Sequence, residues 1–206
     1  MNLSKKYTYP LFESIAVHDG VIQHEQWHQK RFIKSYQGVY NCSPNHSLLE
    51  GVEVPEVYRV GHVKLRISYN QDESFVEFQN YEPKQIQSLR LVDGDELNYQ
   101  FKFQDRTTLN KLFEQRKTCD DILIVKNKLI TDSSYANIVF YDGEHWLTPK
   151  LPLLDGTARA RLLSEGLIKE AEITVSDLAS YGAFKLINAM RDFEKVKEGK
   201  VKDIIA

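Results

Sequence analysis

Three stretches of this chain carry side chains whose type and setting could do chemistry. Lys102 lies in "YQFKFQDR", a run otherwise aromatic and apolar at alternate positions, immediately before a helix start. A lysine at a strand end, partly desolvated and near another cation, loses its proton more readily, so it can act as a Schiff-base nucleophile and proton carrier. The plainer alternative is an edge-strand lysine in solvent, and surface lysines far outnumber reactive ones. Asp132 stands where the strand-like run "DDILIVKNKLITD" breaks at Ser133 and Ser134. A carboxylate there could hold a protonated heterocyclic nitrogen and keep the ring charged; a turn or helix-cap role competes with it. Gly156 and Thr157 open a helix with Arg159 in its first turn. Free backbone N–H groups at such a start suit a phosphate, although most helices begin similarly.

His24 and His28 are four residues apart and could share a metal on one helix face. No third ligand stands nearby, so a solvated helix face is the expected reading and no metal is assigned.

The elements that must position these residues follow from periodicity. "LFESIAVHDGVIQ" reads as two strands about a turn at Asp19-Gly20. "EQWHQKRFIKSYQGVY" has helical spacing, and "GHVKLRISY" and "ESFVEFQNY" alternate as a hairpin, with Val63, Leu65 and Ile67 on one face. Pro83 marks a boundary, separating a smaller N-terminal α+β lobe (residues 1–84) from a larger C-terminal lobe (85–206) that carries Lys102. In the second lobe, "QSLRLVD" and "LNYQFKF" read as strands. "DRTTLNKLFEQR" reads as a helix capped by Asp105, Thr107 or Thr108. "DDILIVKNKLITD" and "ANIVFYDGEHWLTP" form a strand-turn-strand series, and "GTARARLLSEGLI" a helix stopped by Gly166.

Composition narrows the class. The 206 residues are 42% apolar and 27% charged with a formal net charge of −2, ordinary for a globular chain. That balance gives no field for nucleic acid or an anionic membrane. Two cysteines, Cys42 and Cys119, lack metal spacing and argue against a disulfide framework. The stretch "MNLSKKYTYPLFESIAV" has no long apolar core of a signal peptide, and no run reaches the ~20 apolar residues of a membrane span, so a cytoplasmic protein is expected.

Taken together the stretches are more specific. "DILIVKNKLITDSSYANIVFYDGEHWLTPKLPLLDGTARARLL" resembles the signature of the class IV pyridoxal-phosphate enzymes: a strand, Thr-Glu, a small-residue turn, Asn, a strand, Thr-Pro, then Leu-x-Gly-x-Thr-Arg opening a helix. The matching residues are Thr131-Asp132, Ser133-Ser134, Asn137, Thr148-Pro149 and Leu154 to Arg159. "LFESIAV", with Phe12 and Glu13, looks like the family's Phe-Glu-Thr strand, and "HQKRF", with His28 and Arg31, like its His-x-x-Arg helix. "LINAM", with Asn188 and Ala189, is similar to a late segment of the lyase members. The chain departs from the pattern at Asp132, where most members have Glu, and at Ala158, where Thr is usual.

The resemblance implies a two-lobed α+β fold like that of D-amino-acid aminotransferase (fold type IV) and pyridoxal 5'-phosphate as cofactor. Lys102 would hold the cofactor covalently, and Arg31 would grip its phosphate. Asp132 would meet its ring nitrogen, and Ser133, Ser134, Asn137, Gly156, Thr157, Ala158, Asn188 and Ala189 would line its site. "KFQDR" stands in for the family's Lys-x-x-Asn-Arg, eighteen residues before Asp120. A rival register aligns "TTLN" with Lys-x-Leu-Asn and puts Thr107 at the lysine position, which would leave the site dead. Arg106 is either a substrate-carboxylate anchor or a helix-surface arginine. The implied activity is release of pyruvate and 4-aminobenzoate from 4-amino-4-deoxychorismate, for folate synthesis. An aminotransferase acting on branched-chain or D-amino acids is the second reading, and a non-catalytic cofactor-binding relative the third. Family active sites lie near a subunit interface, so a homodimer acting on a small amino substrate is implied.

Overall fold

The structure, a computed structural model, describes residues 8–206. The first seven residues, part of the stretch read against a signal peptide, lie outside the described residues. The chain divides into two compact units, Met1–Pro83 with Phe101–Asp105 and Lys84–Gln100 with Arg106–Ala206.

In the first unit, β1 (Leu11–His18) and β2 (Val21–Ile22) close about the Asp19-Gly20 turn, and β3 (His62–Tyr69) and β4 (Ser74–Asn80) form the expected hairpin. They make one antiparallel sheet in the order β2-β1-β3-β4. Leu11, Ile15, Val17, Val63, Leu65 and Ile67 lie in its buried core, the inward set of a period-two pattern. Helix α1 (Glu25–Tyr40) supplies Phe32 and Tyr36 to that core. Its buried positions are His28, Arg31, Phe32, Ser35 and Tyr36, a stripe at helical spacing. Asn41, in the left-handed conformation (φ 56°), ends the helix with its N–H on the Gln37 carbonyl at 2.9 Å.

Residues 101–105 are no part of a second-lobe strand. They dock on β1 of the first unit: Phe12 N donates to the Lys102 carbonyl (3.1 Å), Gln104 N donates to the Pro10 carbonyl (2.7 Å), and Leu11 and Phe103 form an isolated bridge. The aromatic alternation of "LNYQFKF" is real. It reflects two phenylalanines entering the first core, Phe101 beside Gly38 and Phe103 beside it, and not a ladder of strand bonds.

The second unit holds a nine-stranded mixed sheet. Its strands are β5 (Leu89–Asp93), β6 (Asp121–Lys126), β7 (Leu129–Ser133), β8 (Asn137–Tyr141), β9 (Trp146–Pro149), β10 (Lys169–Ala171), β11 (Ala183–Ile187), β12 (Gly199–Lys200) and β13 (Ile204–Ile205). The main path runs β10-β9-β8-β7-β6-β5-β13, with β11 bonded to both β8 and β12. Helix α2 (Thr107–Glu114) begins after Arg106, which takes the cap position expected of Asp105 or a threonine. Helix α3 (Thr157–Ser164) buries Ala158 and Leu162, the latter against Val139, Ile168, Ile187 and Phe193.

Candidate active site

Asp132 sits where the β6–β7 register slips. Leu123 faces Ser133 but Val125 faces Ile130, so β7 carries one extra residue across Thr131 and Asp132. A bulge of this kind re-aims side chains, and such bulges gather near functional sites. Asp132 is 4% exposed. Its Oδ1 accepts from Asn137 Nδ2 at 2.7 Å and its Oδ2 from Leu154 N at 2.9 Å. Burial pushes its pKa up to about 7, against the bonds from Asn137, Leu154 and Leu153 and the charge of Arg159. Arg159 itself is held by the Pro149 carbonyl (2.8 Å) and Glu170 (2.7 Å).

The turn after β7 is tied by its own serine. Ser133 Oγ and N both donate to the Ala136 carbonyl, and Ala136 N donates to Ser133 Oγ. Ser133 is thus engaged by the turn. Ser134 Oγ is buried beside the Asp121 carboxyl, whose pKa burial raises while the Ser134 hydroxyl works the other way. The Ser134 carbonyl accepts from Arg106 Nη2 at 2.6 Å, and the Arg106 guanidinium lies over the ring of the exposed Tyr135, 4.3 Å from its centroid. Arg106 is therefore a strut of this turn and not a plain surface arginine. Asn188 reaches the same turn, Nδ2 to the Tyr135 carbonyl at 3.4 Å, while its Oδ1 accepts from Met190 N. Gly156 precedes α3, whose start no side chain caps; Thr157 and Ala158 are buried there. The first N–H groups of such a helix have no intrahelical acceptor. Ala189 is half-buried beside Asn188.

In the first unit the sequence reading is corrected at His28. It is no solvated position: His28 is 1% exposed and its Nδ1 donates to Glu13 Oε2 at 2.7 Å. Glu13, wholly buried on β1, also accepts from Arg31 Nε (2.8 Å) and Nη2 (2.5 Å). Burial opposes its charge, but Arg31 and the bonds from His28 and Arg31 prevail and hold its pKa down at about 2. Burial lowers the His28 pKa, with the Glu13 bond working the other way. An ionised carboxylate only accepts, so His28 carries its proton on Nδ1. Among the described residues no group of three or more metal-ligating side chains occurs.

Lys102 extends its amine over the Phe12 ring, 4.8 Å from the centroid. Arg66 stacks on the same ring at 3.7 Å and donates to Gln104 Oε1 (2.5 Å), and Gln104 Nε2 in turn donates to Ser68 Oγ (2.7 Å). Arg66, a residue the sequence reading did not single out, thus shares the Phe12 ring with Lys102. Its signal was an arginine on the face of β3 opposite Leu65 and Ile67. Thr107, the rival lysine position, is exposed at the first turn of α2.

The two-unit α+β architecture is that of the fold type IV aminotransferases. The chain belongs to the class IV aminotransferases, whose family model matches residues 10–198. It is 35% identical to a Haemophilus somnus protein provisionally named a 4-amino-4-deoxychorismate lyase, with a TM-score of 0.78 and coverage of 88% of this chain and 96% of that one. The fold IV-transaminase CpuTA1 of Curtobacterium pusillum is 17% identical with a TM-score of 0.71, covering 96% and 79%. The PLP-bound form of a hypothetical aminotransferase from Mycobacterium tuberculosis is 16% identical with a TM-score of 0.68, covering 96% and 82%. Among the described residues no helix is long and apolar enough to cross a membrane.

Proposed function

We propose that this chain is a pyridoxal-phosphate-dependent lyase that splits 4-amino-4-deoxychorismate into 4-aminobenzoate and pyruvate. The observation that carries the reading is the Asp132 carboxylate, buried yet supplied only with N–H donors at 2.7 and 2.9 Å. No cation bonds to it directly, Arg159 acting only through its charge, and a protonated ring nitrogen would provide a bonded one. Two features support the fit of the cofactor: this carboxylate and the uncapped start of α3. The 35% identity to the provisionally named lyase supports the choice of reaction.

When bound, pyridoxal phosphate supplies an electron sink for negative charge at the substrate α-carbon. The chain's residues do the rest. Asp132 keeps the ring nitrogen protonated by holding negative charge beside it. Backbone N–H groups of Thr157 and Ala158 bind phosphate, with Arg31 as the guanidinium that the family resemblance assigns to it. The Lys102 amine anchors the cofactor covalently and, once released, takes the α-proton as general base. Asn188 and Ala189 line the site, and Arg106 holds the 133–136 turn against it. The two products together contain every atom of the substrate, so no co-reactant is required.

The family match supports a second reading, an aminotransferase for branched-chain or D-amino acids. Purified protein is given pyridoxal phosphate, its visible absorption is recorded, and each substrate type is then offered. Release of 4-aminobenzoate and pyruvate supports the lyase. Amino transfer to 2-oxoglutarate without 4-aminobenzoate overturns it in favour of the transferase. Failure of the wild-type protein to take up the cofactor overturns both. Light scattering tests the homodimer that the reading carries with it.

A further inference from the structure

The residues around Asp132 give Asn137 and Gly156 a joint role different from lining a cofactor. Asp132 and Asn137 face each other across β7 and β8. Directly opposed residues of an antiparallel pair present their side chains on the same face. The Asn137 amide has two N–H bonds, and both are spent: one on Asp132 Oδ1 (2.7 Å), the other on the Leu154 carbonyl (2.9 Å). Two acceptors on one side of the amide also fix its orientation, because the flipped amide would set oxygen against oxygen. Leu154 N closes the loop by donating to Asp132 Oδ2 at 2.9 Å. The strand pair and the segment leading into α3 thus share one ring of hydrogen bonds.

The other end of the amide explains Gly156. A Cβ placed on Gly156 would overlap Asn137 Oδ1 and lie 3.0 Å from Asn137 Cγ. The backbone there is ordinary extended chain (φ −71°, ψ 138°), open to any residue. Conformation does not demand a glycine at this position; space for the Asn137 amide does.

We infer that Asn137 and Gly156 form a coupled clamp that positions the Asp132 carboxylate, with Gly156 small to admit the amide and not to admit a phosphate. This deepens the proposed function, since it rests on Asp132 being the partner of the ring nitrogen. Asn137 is then a positioning residue that does not touch the cofactor.

The test is a double-mutant cycle of Gly156→Ala and Asn137→Ala. It is read by the melting temperature of the apoprotein, by pyridoxal-phosphate affinity from fluorescence quenching, and by the titration of Asp132 followed through its carboxyl carbon in NMR. In the Asn137 background, Gly156→Ala is expected to weaken cofactor affinity about tenfold or more, the scale of a lost bond to a charged group. It should also lower the melting temperature and move the Asp132 titration upward, because a donor to the carboxylate is lost. In the Asn137→Ala background the same Gly156→Ala change should have little further effect on any readout. If Gly156→Ala instead weakens cofactor affinity equally in both backgrounds while leaving the Asp132 titration in place, the glycine serves the phosphate and the inference is overturned. Should Asn137→Ala not fold, Asn137→Ser makes the same comparison, since its shorter side chain also vacates the space beside residue 156. Melting and titration need no cofactor, so failure of the cofactor reading appears separately, as wild-type protein that binds no pyridoxal phosphate.

Discussion

Replacing Glu13 by Gln tests how the first unit tolerates its buried charges. Glu13 is wholly buried, takes two bonds from Arg31 and one from His28, and Arg31 is itself only 9% exposed. Glutamine keeps the size but removes the charge, leaving the Arg31 guanidinium buried without its counter-ion. Breaking a buried pair in this way costs about 3–5 kcal/mol. An independent figure comes from linkage. The carboxyl falls from 4.5 to about 2 on folding. At 1.36 kcal/mol for each tenfold change in acidity, that is worth about 3 kcal/mol. Because the folded pKa lies below the unfolded one, this stability is fully present above pH 4.5 and is lost as pH falls toward 2. Urea unfolding of the wild type and Glu13→Gln is compared from pH 7 down to pH 3. The expected result is a gap of about 3–5 kcal/mol at pH 7 that narrows as the wild type loses its share below pH 4.5. Equal stability at pH 7, or a gap of constant size across the series, would refute the argument that Glu13 is ionised and paired inside the fold. Cofactor affinity of the variant should also fall, since Arg31 loses the carboxylate that fixes its orientation.

Three further outcomes follow from the same geometry. Lys102→Ala should abolish the cofactor adduct trapped by borohydride, read as a mass increment on the peptide holding residue 102; an adduct of unchanged yield would move the attachment elsewhere. Asp132 should make apoprotein stability fall with rising pH: its folded pKa, about 7, is above the ordinary 3.8, so its contribution is complete below pH 3.8 and is lost as pH rises through 7. Comparing wild type with Asp132→Ala in urea at pH 5 and pH 8 checks that sign. Gly38→Ala sets helix propensity against packing: alanine gains up to about 1 kcal/mol inside α1, but its Cβ would lie only 2.9 Å from Phe101 Cε1 and closer still to Cζ. Overpacking costs about 1–3 kcal/mol, so a lower melting temperature is expected, and an increase would show that Phe101 yields freely.

Local order made much of this protein legible without coordinates. The alternation of Val63, Leu65 and Ile67 and the helical stripe of α1 are set by which faces must leave water. The spaced series Thr131-Asp132, Asn137 and Gly156 is legible in sequence because a bulged strand pair and the helix start after it follow one another in that order along the chain. Periodicity is blind to contacts between distant segments, and there the reading failed. The aromatic alternation around Phe101 and Phe103 suited a strand, yet docking on β1 decided its place. His28 looked like an exposed helix position until Glu13, fifteen residues away, made its burial affordable. The sequence placed Asn137 in the signature, and only the structure shows both its N–H bonds taken by Asp132 and a carbonyl in the segment before α3. Sequence specified which polar side chains this chain has and on which faces they stand; only tertiary packing decided which acceptor each donor meets, because burial leaves every such group in need of a partner.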